Sequence, residues 1–156
     1  MQLLDRLDKR TKMALLDKIP ELIHQDYYHP AVFELNGKRW WSTCIGCVEP
    51  KCMKYFEKEA KYLSRFTYLT NVPSALDFFY ANETAYIVME YISGISLQAY
   101  VEKIGKMRDN KMLDFLRPLL KSLDEIHKTG WLHRDMNPSN LICEKGKRLV
   151  LIDFGS

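Results

Sequence analysis

Residues 133–155 hold the pattern that most restricts this chain. Two apolar runs, Asn140-Leu141-Ile142-Cys143 and Leu149-Val150-Leu151-Ile152, are joined by Glu144-Lys145-Gly146-Lys147. Short β-rich runs separated by a glycine-bearing turn predict a hairpin. His133-Arg134-Asp135 leads into it, Asn140 follows Asp135 by five positions, and Asp153-Phe154-Gly155 leaves it. A strand pair returns to where it began, so this one is flanked by acids and an amide that it is built to hold.

The rest of the chain supplies elements around that hairpin. Its 156 residues, 47% of them apolar with only 7 Gly and 6 Pro, predict one globular unit with one core, so a large two-lobed enzyme would be incomplete here. Leu4, Leu7, Met13, Leu16, Ile19, Leu22 and Ile23 recur at helical intervals and predict two short amphipathic helices within residues 2–25, with Pro20 between them. Asn36-Gly37 between Val32-Phe33-Glu34-Leu35 and the run Arg39–Ile45 predicts a second hairpin. Met53–Phe66 carries Tyr55, Phe56, Ala60, Leu63 and Phe66 on one stripe and reads as an amphipathic helix. Thr84–Glu90 reads as a buried strand, and Ser96 as the cap of a short helix over Leu97–Ile104. Lys111–Lys128 is the strongest helical signal, with Met112, Leu116, Leu119, Leu120, Leu123, Ile126 and His127 on one face and Gly130 ending it.

Charge and cysteine content exclude several classes of function. A formal net charge of +3, from 23 Lys or Arg against 20 Asp or Glu, gives no electrostatic reason to expect nucleic acid or an anionic membrane. The longest stretches free of those residues, Phe66–Leu76 and Tyr91–Val101, fall far short of the ~18–20 apolar residues that span a bilayer. The first ten residues are interrupted by charge, unlike a secretion signal, so a cytoplasmic protein with reduced thiols is expected. Cys44, Cys47 and Cys52 form C-x-x-C-x-x-x-x-C, which would bind zinc or an iron–sulfur centre only if His24, His29 or Cys143 gave a fourth ligand. A single C-x-x-C is more often a pair of reduced thiols. Trp40-Trp41 and Tyr27-Tyr28 read as core or interface aromatics.

Phosphoryl transfer needs little covalent help and much positioning: a carboxylate facing the attacking hydroxyl, and oxygen ligands holding Mg²⁺ against the phosphates. Asp135, Asn140 and Asp153 supply that set. H-R-D-x-x-x-x-N followed by D-F-G resembles the protein kinase signature, specifically that of the bacterial-type serine/threonine kinases. The resemblance runs back through Phe56-Glu57-Lys58-Glu59-Ala60, Asp77-Phe78-Phe79, Thr84–Tyr91 and Ser93-Gly94-Ile95-Ser96-Leu97, which are similar to the family's helix C, fourth strand, fifth strand with hinge, and start of helix D, so that residues 53–156 are covered.

The resemblance implies an α+β, protein-kinase-like fold that is incomplete: a helical extension over residues 1–30, a degenerate N-lobe over 31–91, and the hinge and first part of the C-lobe over 92–156. It implies ATP and Mg²⁺ as cofactors, with Asp135 as catalytic base, Asn140 and Asp153 as metal ligands, and Glu59 as the helix C acid. Met89 resembles the gatekeeper, the backbone of Glu90 and Ile92 would meet the adenine edge, and Ile142 would floor it. Leu63, Leu76, His133 and Phe154 are similar to the stacked apolar spine. The expected activity is transfer of the γ-phosphoryl group to protein Ser or Thr hydroxyls.

The chain departs from the family at several points. No two of its seven glycines stand nearer than nine positions, so a glycine-rich phosphate loop is absent. Trp40-Trp41-Ser42-Thr43 occupies the place of V-A-I-K, with Lys38 and Lys51 only flanking it. Asn137 stands where a lysine is common. Ser156 follows Gly155, so the resemblance stops before the activation segment and the A-P-E motif, and the Lys111–Lys128 helix is expected to expose apolar surface that invites self-association. Two other functions therefore stay open: a pseudokinase or truncated remnant that binds a partner protein, and a small-molecule kinase. His133-Arg134-Asp135 with Phe154 favours the protein kinases over the latter.

Overall fold

A computed structural model describes residues 6–18, 31–44, 50–81, 84–105, 108–145 and 148–154. The chain forms two compact units: residues up to Arg65 with Ser74–Tyr91, and Phe66–Pro73 with the residues from Ile92 onward. Phe66–Pro73, inside the segment expected to be N-lobe-like, thus packs with the second unit.

The first unit contains helix α1 (Lys9–Lys18), strands β1 (Ala31–Leu35) and β2 (Lys38–Cys44), helix α2 (Pro50–Arg65), and strands β3 (Ala75–Ala81) and β4 (Thr84–Glu90). The strands form an antiparallel sheet in the order β1-β2-β4-β3. The expected Asn36-Gly37 turn is present, and both residues have positive φ, 53° and 70°, as a two-residue hairpin turn of this hand requires. Helix α2 begins three residues before the expected Met53 because Pro50, with no N–H to lose, is well suited to a first helical turn.

Alternation along β3 divides the sheet into two packed faces. Phe78 and Tyr80 meet edge to face at 5.1 Å, and Phe78 meets Phe56 of α2 at 6.4 Å. On the opposite face Phe79 stacks on Tyr86 at 5.2 Å, and with Val88 they form a cluster with Leu7 and Leu15 of the N-terminal segment. The central strand β4 is therefore covered on both sides, which accounts for its uninterrupted apolar run. Asp77, on the Phe79 face, is fully buried. Its carboxylate accepts from the backbone N–H groups of Leu7 and Phe78, each at 2.7 Å, and lies 3.5 Å from the Lys12 ammonium. The helical extension is thus secured to the sheet by a buried acid. The second helix expected within residues 2–25 lies outside the described residues.

The second unit contains β5 (Ile95–Ser96), α3 (Leu97–Ile104), α4 (Asp109–Lys128), a 3₁₀ turn (Pro138–Asn140), β6 (Leu141–Glu144) and β7 (Arg148–Leu151). Its three strands form an antiparallel sheet, β5-β6-β7. Ser96 caps α3 as expected, its hydroxyl accepting from the Ala99 N–H at 3.1 Å. A Cβ at Gly94 would collide with the carbonyl oxygen of Cys143, so this position beside the sheet admits only glycine.

Helix α4 buries Phe115, Leu119, Ser122, Leu123 and Ile126. The expected stripe needs correction at two positions: Leu120 is 56% exposed and His127 is also exposed. The face is rotated because Ser122 is drawn inward, its hydroxyl donating to Oδ1 of Asn71 at 3.0 Å. Asn71 Nδ2 in turn donates to the carbonyl of Leu149 at 2.7 Å, and its own carbonyl accepts from Leu151 N at 2.9 Å. A polar pin thus ties the segment after α2 to both α4 and β7. No helix among the described residues is long and apolar enough to cross a membrane.

Replacing Asp77 with Ala removes the acceptor for two buried N–H groups, and unfolding stability should fall by about 2–4 kcal/mol in urea denaturation. Amide exchange in Lys9–Lys18 should accelerate more than in β4, because that variant detaches the helix before it disrupts the sheet.

Candidate active site

Helix α4 ends where Gly130, at φ 80°, donates its N–H to the carbonyl of His127 at 2.9 Å. The chain then enters the loop that carries His133, Asp135, Asn137 and Asn140. His133 is only 4% exposed, and its contacts determine its tautomer. A carbonyl oxygen can only accept, so the 2.9 Å contact to Ile152 O puts the proton on Nε2. Nδ1 is then the acceptor for the Asp135 N–H at 3.3 Å. The imidazole edge also meets the Phe154 ring at 4.7 Å. One side chain therefore touches the residues on both sides of Asp153 and the backbone of Asp135.

Asn140 completes this arrangement. Its carbonyl accepts from the Ile152 N–H at 2.9 Å. Its side-chain Nδ2 donates to Asp135 Oδ2 and to Asp135 O, both at 2.9 Å. The sequence pattern predicts Asn140 at the start of the first hairpin strand. It lies instead in the 3₁₀ turn, because Asn137 caps that turn through Oδ1, accepting from Ser139 N at 2.9 Å and Asn140 N at 3.2 Å. Asn137-Pro138 carried a recognisable signal for this, a capping side chain followed by proline at the first helical position. Strand β7 correspondingly stops at Leu151, leaving Ile152 free of the ladder to bond the loop.

The structure brings Asp135 and Asn140 into direct contact and holds Asp153 in the residue after Ile152. Asp153 is exposed and has φ 64°, a left-handed conformation that a non-glycine residue adopts at a cost. Arg134, also exposed, has φ 67°. Strain on both motifs is opposed by the hydrogen bonds around His133. Ile92 is buried and Ile142 half-buried in this second unit, where Ile142 pairs with Ser96 and Val150.

The remaining expected site residues belong to the first unit. Glu59 lies on the buried face of α2, 6% exposed. Met89 is buried near the end of β4, and Glu90 is half-buried, its N–H donating to Ser74 O at 2.9 Å. Lys38 sits with its ammonium 4.6 Å from the centre of the Trp40 ring. His24, His29 and Cys47 and the side chains of Cys44 and Cys52 lie outside the described residues, so the proposed cysteine site does too. Cys143 is a buried free thiol.

A strand-rich unit, and a second unit in which a histidine-buttressed loop meets an acid after a hairpin, define a kinase-type fold. The model of the protein kinase domain matches residues 46–156, and the chain belongs to that family. It is 40% identical over 102 residues to serine/threonine-protein kinase B of Synechocystis sp., a match covering 65% of this chain and 18% of that protein. It is 31% identical over 122 residues to the probable serine/threonine-protein kinase fnkB of Dictyostelium discoideum, covering 78% of this chain and 23% of that one. The kinase domain of M. tuberculosis PknI shares the fold at a TM-score of 0.68 and 20% identity, over 84% of this chain and 54% of that one. The chain therefore spans a minor part of these curated relatives and about half of a solved kinase domain.

Substituting His133 with Phe keeps a ring against Phe154 but leaves the Ile152 carbonyl and the Asp135 N–H without their partner. Stability in urea denaturation should fall by about 1–3 kcal/mol, the cost of stranding a buried acceptor. A His133→Phe protein as stable as the wild type would show that ring packing alone holds the two motifs together.

Proposed function

We propose that this chain carries the nucleotide and phosphoryl-transfer elements of a serine/threonine protein kinase, acting on Ser or Thr hydroxyls of protein substrates. One observation carries the reading: Asp135 and Asn140 are hydrogen-bonded to each other, with Asp153 next to Ile152, whose N–H bonds Asn140 and whose C=O bonds His133. In this reading Asp135 orients the substrate hydroxyl and receives its proton. The family relationship and the names of the curated relatives support the choice of Ser and Thr.

The donor set suits Mg²⁺. Asn140 turns Nδ2 toward Asp135, which leaves Oδ1 as a neutral oxygen ligand, and Asp153 offers an exposed carboxylate. Mg²⁺ is commonly held by one or two protein oxygens together with phosphate oxygens. When bound, Mg²⁺ neutralises charge on the phosphoryl oxygens. Glu59 would serve as the helix acid, Met89 and Ile142 as apolar surfaces for the base, and the backbone of Glu90 and Ile92 as its polar edge.

A second reading, a non-catalytic binding module, is favoured by β2. Trp40-Trp41-Ser42-Thr43 has no lysine, and Lys38 is engaged by the Trp40 ring.

Incubation with Mg-ATP and a Ser- or Thr-containing protein substrate should yield phosphoserine or phosphothreonine, lost in Asp153→Ala. Thermal denaturation separates the two readings. A nucleotide site occupied at 100 times its Kd stabilises by about 2.7 kcal/mol, which raises Tm by about 5–10 °C at this chain length. A well-folded protein that shows neither this shift nor turnover favours the binding module.

A further inference from the structure

Asn137 engages different partners with its two amide atoms. Oδ1 accepts from Ser139 N at 2.9 Å and Asn140 N at 3.2 Å, which caps the 3₁₀ turn. Nδ2 donates to Asp135 Oδ1 at 2.9 Å and reaches the Asp135 carbonyl at 3.3 Å. The other carboxylate oxygen, Oδ2, is taken by Asn140 Nδ2 at 2.9 Å, and that nitrogen also reaches the Asp135 carbonyl. Each oxygen of Asp135 therefore has its own amide donor, and both donors are anchored to the same backbone carbonyl.

The geometry has a mechanical consequence. A carboxylate held through one oxygen can still swing about its terminal torsion, which is broad for Asp. Held through both, its plane is set, and the remaining lone pairs point in determined directions. Lysine, common at this position in the resemblance described above, cannot substitute for this dual role, because an ammonium has donors and no acceptor with which to cap the turn. An amide has both.

We propose that Asn137 is a positioning residue for the Asp135 carboxylate, a role that rests on the reading of Asp135 as the base. It sets the plane of the carboxylate from the Oδ1 side as Asn140 does from the Oδ2 side, and it leaves the loop without a cation at that position.

Asn137→Ser separates clamp from cap, since serine caps a helical turn about as well as asparagine but has no amide donor. In the full chain, kcat for phosphoryl transfer should fall about 10- to 100-fold, the equivalent of one hydrogen bond to a charged group. KM for ATP and the urea midpoint should stay near wild type. Asn137→Ala should lower kcat similarly and the midpoint as well. An unchanged kcat in Asn137→Ser overturns the proposal. The clamp itself is read without turnover, from the side-chain amide proton resonances of Asn137 and Asn140, both of which should move on Asp135→Ala. An Asn137 resonance that does not move overturns the clamp alone. Responsive resonances in a wild-type protein with no turnover overturn the kinase reading, and with it the catalytic role of the clamp.

Discussion

The backbone of Ile152 is gripped through both of its polar groups, and the placement of the residues around Asp153 depends on that grip. Its N–H bonds the carbonyl of Asn140 and its C=O bonds the ring of His133. The two partners come from the loop that carries Asp135. Segments nineteen residues apart, His133 and Ile152, are thereby joined at hydrogen-bond distance. That link fixes the residue before Asp153. His133 is thus a structural ring in a chemical motif, and its burial against Phe154 gives it the rigidity the role demands.

Other buried polar groups act in the same way elsewhere. Asn71 joins a loop, a helix and a strand through Ser122, Leu149 and Leu151, and Asp77 joins an N-terminal turn to a sheet. Each is a side chain whose desolvation is offset by several hydrogen bonds, which makes its neighbours' positions specific rather than merely compact. In the candidate site the same arrangement appears at the surface: two asparagines and a carboxylate satisfy one another, so the Asp135 carboxylate remains oriented although it is exposed.

Much of this arrangement was legible in the sequence, for reasons that can be stated residue by residue. Asn36-Gly37, Ser96 and Gly130 each determine a local backbone event, and the structure has a turn, a cap and a helix stop at those places. The kinase resemblance of the motifs around Asp135 and Asp153 led to the correct fold class and family. The face of α4 was less legible. Periodicity counts apolar residues and so placed Leu120 in the buried stripe, whereas Ser122 is the residue turned inward by a bond to a side chain 51 positions away. Strand β3 was read only from the resemblance, since its buried Asp77 interrupts the apolar pattern.

By itself the amino-acid sequence determined the elements and the identity of the acids and amides beside the hairpin, because turns, caps and periodic stripes are decided by residues a few positions apart. Tertiary structure alone decided which of them meet. The Asn71–Leu149 bond spans 78 positions and the Leu7–Asp77 bond 70. The two-sided hold on Asp135 likewise depends on where a folded loop directs two amide nitrogens. Hydrogen bonds are short and directional, so residue type announces a donor or an acceptor while only the folded backbone supplies the 2.9 Å that makes it act.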